Sequence, residues 1–176
     1  MKKIFLSALT IFSLIISQQT FAGDTLYWKN GAALSWSDFK GKTGNSPTGT
    51  GAYIGLDYTL TNDASSFKTK VTPYFLSDMS WSKFTSNDTL LQHEQIRFDM
   101  AELFARRTRK AFSEYNFNAE TVVKDLKKIF NEIKDERVKM NQQFDKETKY
   151  ATDLKAQQTW SIKISTELDK LSAFAE

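Results

Sequence analysis

Cysteine is absent from all 176 residues, and histidine occurs once, at His93. The first absence excludes a disulfide scaffold and any thiolate chemistry, whether nucleophilic or metal-binding. The second leaves one imidazole where zinc sites commonly use two or three. Glycine and proline run out along the chain: all seven glycines lie between Gly23 and Gly55, and the two prolines are Pro47 and Pro73. Those residues punctuate turns and break helices. The N-terminal third therefore reads as strands and loops, and the remainder mostly as helix. Long apolar runs are also missing. Ile4 to Ile16 spans only 13 residues, short of the ~18 to 20 that a membrane-spanning helix needs.

That run follows Lys2 and Lys3 and leads into Ser17-Gln18-Gln19-Thr20-Phe21-Ala22, the pattern of an export signal cleaved after Ala22. Residues 1–22 are expected to be a signal peptide and 23–176 a single domain, periplasmic or secreted, with no stable membrane insertion after cleavage. Charge of either sign is not in excess: without Lys2 and Lys3, 22 basic side chains face 21 acidic ones. The dense basic cluster Arg106-Arg107-Thr108-Arg109-Lys110 is expected to be a solvated helix end complementing the dipole, and no nucleic-acid footprint is visible. What the chain does have is aromatic bulk, 14 Phe, 4 Trp and 6 Tyr, enough to build one core without disulfides.

Leu26-Tyr27-Trp28 and Ala33-Leu34-Ser35-Trp36 are short extended candidates, and Lys40 to Gly51 reads as a polar loop. Ala52 to Leu60 alternates, with Ile54, Leu56, Tyr58 and Leu60 on one face. Phe67 to Phe75 alternates again around Val71. With turn formers at Thr61 to Ser66 between them, these predict an antiparallel hairpin with one buried face. Pro73 places its strand at an edge or near its end. A central helix is expected from an Asn87 or Asp88 cap to about Tyr115. A second, capped by Asn118, would start near Ala119 and carry Val122, Leu126, Phe130 and Ile133. A break at Tyr150 to Asp153 precedes a last helix with Leu154, Trp160, Ile164 and Leu168. The sum is an α+β domain, a small antiparallel sheet packed on a helical C-terminal two-thirds.

The lone histidine opens Leu90-Leu91-Gln92-His93-Glu94-Gln95-Ile96-Arg97-Phe98-Asp99-Met100-Ala101-Glu102. In the zinc-peptidase signature H-E-x-x-H, two histidines share a helix face and grip the metal, and the Glu between them activates water. Here the second position is Arg97, a protonated group with no lone pair to give.

The wider string resembles the bacterial domain of unknown function 922 family, which reads LLxHEQxHFDIAExxARxxRK at this point. Leu34-Ser35-Trp36-Ser37-Asp38-Phe39-Lys40-Gly41 is similar to its L-x-W-x-D-F-K-G, and Ser80-Trp81 to its S-W. Phe144-Asp145-Lys146-Glu147-Thr148, with Gln157 and Trp160, is similar to its Y-D-x-x-T-x-H-G…Q…W. The resemblance implies a secreted, zincin-like metallopeptidase scaffold in which an edge strand aligns an extended peptide. Of the ligand positions it implies, only His93 survives, with Glu94 as vestigial general base. Arg97 and Tyr150 replace the other two, and Ala151 stands in place of the glycine.

Three functions follow from these residues. The first is a degenerate, metal-free and non-catalytic relative with a binding or scaffolding role in the envelope, its partner an extended peptide or an envelope protein. The second is an active metallohydrolase holding zinc through His93 with Glu102, Asp145, Glu147 or Tyr150 and using Glu94 as base. The third is a purely structural or interaction domain. In the first, Arg97 is expected to point into the former site and pair with Glu94, Asp145 or Glu147, with the Tyr150 hydroxyl nearby. The other acids of the helices are expected to lie mostly on solvated faces.

Overall fold

The computed structural model describes residues 23–45 and 49–176. The expected signal peptide, residues 1–22, and Pro47 in the polar loop lie outside the described residues.

The alternating stretches form β3 (Ile54–Asn62) and β4 (Phe67–Leu76), antiparallel and in register from Ile54↔Phe75 to Asn62↔Phe67. Asp63 closes the four-residue turn between them. Its Oδ1 accepts from the backbone N–H groups of Ser65 and Ser66, both at 2.8 Å. These bonds hold the Asp63 carboxyl below its ordinary range. A three-residue strand, β1 (Thr25–Tyr27), pairs with the other side of β4, giving the order β1-β4-β3. Thr50–Gly51 (β2) and Trp81–Ser82 (β5) form a separate two-stranded ladder.

Two expectations fail here. Ala33 to Trp36 is not a strand. It leads into a 3-10 turn at Trp36–Asp38, because Leu34 is buried and its N–H donates to the Gln95 side chain at 2.7 Å rather than to a neighbouring strand. Pro73, in turn, lies on the central strand of the sheet, three residues from that strand's end, so of the two expected placements it is the edge that fails. Its carbonyl accepts from Trp28 N–H, so its nitrogen faces the same side. There β1 has already ended at Tyr27↔Tyr74, and the missing donor costs no ladder bond.

Three helices follow: α1 (Asp88–Ser113), α2 (Val122–Glu147) and α3 (Leu154–Lys170). Asn87 caps α1, its side chain accepting from Leu90 N–H at 3.0 Å. Asn118 instead forms a turn over Ala119 to Thr121, and α2 starts at Val122, three residues later than an Asn118 cap implies. Between α2 and α3 the chain reverses through Lys149, Tyr150 and Ala151, all left-handed at φ 48°, 53° and 71°. Asp153 then caps α3 by accepting from Ala156 N–H. Among the described residues no helix is long and apolar enough to cross a membrane.

The molecule is organised around α1. One face packs Phe104, Ala105 and Phe112 against Leu56, Leu60 and Val71 of the sheet and Val122, Leu126 and Phe130 of α2. Another packs Ile96, Met100 and Leu103 against Phe144 of α2 and Trp160 and Ile164 of α3. A third sets Phe98 and Ala101 against Leu34 and Phe75. A helix covered on three sides exposes little of its length, so the polar residues it carries are buried and must find partners.

Candidate functional site

His93, Glu94 and Arg97 occupy one turn and a half of α1, with His93 and Arg97 four apart and on one face. Asp145, near the end of α2, meets that face. His93 Nε2 donates to Asp145 Oδ1 at 3.2 Å, and Arg97 Nη1 reaches the two Asp145 oxygens at 3.4 and 3.5 Å. Arg97 Nε lies 3.8 Å from Glu94 Oε2. The His93 ring stacks on Phe144 with centroids 4.3 Å apart, and Phe144 meets Trp160 edge-on. The other His93 ring nitrogen, Nδ1, is buried and without a partner among the described residues. Glu94 is 5% exposed. Burial pushes its carboxyl above the ordinary range, the nearby Arg97 and His93 opposing.

Arg97 therefore turns into the site and pairs with Asp145, the partner the sequence named among three acids. At 31% exposure it is half-buried rather than sealed. Tyr150 does not join it: the side chain is 75% exposed, carried outward by the left-handed turn. Glu147 turns away too, accepting from Trp160 Nε1 at 2.8 Å and from Gln143 at 2.7 Å. Those bonds hold its carboxyl below the ordinary range. Glu102 is nine residues from His93, which on a helix is half a turn out of phase and about 13 Å along. It accepts instead from Arg106 Nε at 2.8 Å and Arg109 Nη1 at 3.1 Å.

This last pair corrects two expectations. The basic cluster is not a solvated helix end, since Arg106 is buried and Arg109 nearly so. Nor do the acids of α1 line a wet face: Glu94 and Glu102 are buried, and Asp99 accepts from Trp28 Nε1 and Gln95. Most residues that carry the family resemblance are thus architecture. Gln95 holds Leu34, Asp99 holds Trp28, and Gln157 ties α3 to Thr89. Of these residues, His93, Glu94 and Asp145 meet at the candidate site, together with Arg97.

A zinc ion does not fit these residues. Asp145 already serves His93 and Arg97 together, and the Arg97 guanidinium has no lone pair to give a metal. Among the described residues no group of three or more His, Asp or Glu side chains is disposed to hold a metal ion. Two neighbours escaped the sequence reading, Asn141 and Arg137. They lie four and eight residues before Asp145, a spacing that puts all three on one stripe of α2. A cavity of about 530 Å³ lies elsewhere, along the sheet, lined by Tyr27, Asp57, Thr72, Tyr74 and Arg109 among others.

A family model described as "Bacterial protein of unknown function (DUF922)" matches residues 33–151, more than half of the chain. No curated protein and no solved structure matches it.

Proposed function

The chain belongs to the bacterial family DUF922, and on that premise we propose that it is a metal-free, non-catalytic member built on a zincin-like scaffold. Its role is binding in the cell envelope, reached through export directed by residues 1–22. The observation that carries this reading is the ion pair between Arg97 and Asp145 at 3.4 Å, formed on the carboxylate that also receives His93. A zincin would need a lone-pair donor at position 97. A guanidinium brings a fixed positive charge there instead, satisfying the acid that a lost cation would leave uncompensated. Glu94, without a metal-bound water to deprotonate, has no base chemistry to perform.

Elemental analysis of the purified protein tests this. Less than a tenth of an equivalent of zinc per chain, roughly, is the expected result. One tightly held zinc per chain that survives mild chelation would overturn it in favour of a site using His93 and carboxylates.

A further inference from the structure

The sheet has one covered face and one open face. Leu56, Leu60 and Val71 turn toward α1 and α2, and alternation sends their neighbours the other way. Directly opposed residues of antiparallel strands share a face, so the register sorts the open face into rows. Tyr27, Tyr74 and Gly55 form the first row, Thr72 and Asp57 the second, Lys70 and Thr59 the third. Strand β1 reaches only the first row, because it ends at Tyr27. The sheet is therefore three strands wide at the tyrosines and two strands wide beyond them. The cavity of about 530 Å³ sits at this step, lined by all six side chains of the three rows. An open sheet face ordinarily carries threonines and charged groups, and the second and third rows do. The first row differs. Tyr27 is 57% exposed. The outer end of the Tyr74 ring rests on Gly55, where a Cβ would stand 2.0 Å from Cζ and 2.3 Å from Cε2. Covering a glycine of an edge strand with a cross-strand ring stabilises the sheet by itself. That accounts for Tyr74 but not for an exposed Tyr27 in the same row.

We propose that this step in the sheet binds a neutral β-linked oligosaccharide, with a sugar ring stacked on Tyr27 and Tyr74 and its rim hydroxyls bonded to Asp57, Lys70, Thr59 and Thr72. A pyranose with equatorial hydroxyls has flat C–H faces that pack on aromatic rings, and a rim of groups that both donate and accept. Asp57 Oδ1 accepts from Tyr58 N–H at 2.8 Å, and Oδ2 remains to take a hydroxyl proton. Lys70 donates, and the two threonines can do either. Asp57 and Lys70 are both exposed. One carboxylate and one ammonium leave this surface near neutral, which disfavours phosphorylated ligands and nucleic acid. The volume falls within the ~300–1,000 Å³ of small-ligand sites. An extended peptide is the competing occupant, but it would pair with β4 through its backbone and be indifferent to the Tyr27 ring. None of the six side chains belongs to the site of His93, Glu94, Arg97 and Asp145, so the inference is independent of the metal-free reading.

Titration calorimetry on the full purified chain compares cellotriose, chitotriose, maltotriose and acetyl-pentaalanine amide. Cellotriose or chitotriose is expected to bind saturably at one per chain. Maltotriose, whose α-linkages curl it away from a flat surface, should bind about tenfold more weakly or worse. Tyr27→Ala should lower the affinity for the β-linked sugar about tenfold. Its melting temperature should stay within about 2 °C of the unmodified protein, since the ring is exposed. Gly55→Ala should weaken binding as well by displacing the Tyr74 ring, and Tyr74→Phe, which keeps the ring, should retain most of it. Saturable binding of neither β-linked sugar, maltotriose bound as tightly, or affinity unchanged in Tyr27→Ala would overturn the proposal. So would acetyl-pentaalanine amide binding in place of the sugars, which would make the step a pairing site for an extended peptide. Should Gly55→Ala fail to fold, Tyr27→Ala still decides. Zinc found in the same preparation would sink the metal-free reading and leave this comparison unaffected.

Discussion

At the scale of single residues, Glu94 and Arg97 have opposite relations to their surroundings. Glu94 is buried and its carboxyl sits above the ordinary range, so folding favours its protonated form. The stability it contributes is full below the ordinary glutamate pKa and is lost as pH rises through the raised folded value. Near neutral pH the residue therefore costs stability. Glu94→Gln should be more stable than the unmodified protein at pH 7, on the order of 1 kcal/mol, and the difference should fade toward pH 4. Urea melts across that range check it; a constant or inverted difference would mean that the carboxylate is well paired. Arg97 is half-buried and its bonds to Asp145 are long, which makes it replaceable. Arg97→His would put two imidazoles four apart on α1, facing Asp145. Zinc at about 100 times its dissociation constant should then stabilise this variant by roughly 2.7 kcal/mol and leave the unmodified protein unchanged. A melting temperature of Arg97→His indifferent to zinc would show that Asp145 cannot complete such a site.

At the scale of elements, the turn between α2 and α3 stands out as backbone strain. Three consecutive non-glycine residues, Lys149 to Ala151, hold positive φ, which costs about 1–2 kcal/mol apiece for an L-residue. The turn persists because it lets Thr148 and Asp145 carbonyls accept from Asp153 and Tyr150 and aims α3 back along α1. Tyr150 contributes little besides, its side chain lying in solvent. Tyr150→Gly should consequently raise stability by about 1 kcal/mol, or 2–4 °C for a chain of this size. A melting temperature lowered by several degrees would show instead that the phenol packs on the protein in solution.

At the scale of the whole molecule, Glu102 is the point where separate parts meet. It pairs with Arg106, which donates to Leu168 O on α3, and with Arg109, which donates to Val71 O on β4 and Phe174 O near the C-terminus. Replacing it would strand two guanidiniums in a place they cannot leave. Glu102→Gln should cost about 3–5 kcal/mol, while Lys128→Ala on the exposed side of α2 should cost less than about 0.5 kcal/mol. Denaturation followed by tryptophan fluorescence measures both. Equal effects would mean that the Glu102 network is dispensable.

The elements decided by neighbours in sequence were legible from sequence alone. The hairpin, the Asn87 cap and the break around Tyr150 to Asp153 follow from alternation, a side chain that reaches three residues on, and an apolar pattern that loses phase. So did the absence of a second imidazole, which settled that position 97 cannot ligate a metal. The α+β class came from where glycine and proline stop. Other features depend on what arrives from far along the chain. That Pro73 is tolerated on a central strand depends on β1 ending one residue short of it. The burial of Glu102, Arg106 and Arg109 depends on α3 and β4 closing over a helix whose charges, read in sequence, suit solvent equally well. Of the two acids on α2 that could meet Arg97, Asp145 does so because its side of α2 faces α1, whereas Glu147 is turned toward Trp160. Helical periodicity fixes which residues of one helix share a face; only the packing of α1, α2 and the sheet fixes which faces meet, because that packing is set by the fit of buried side chains distant in sequence.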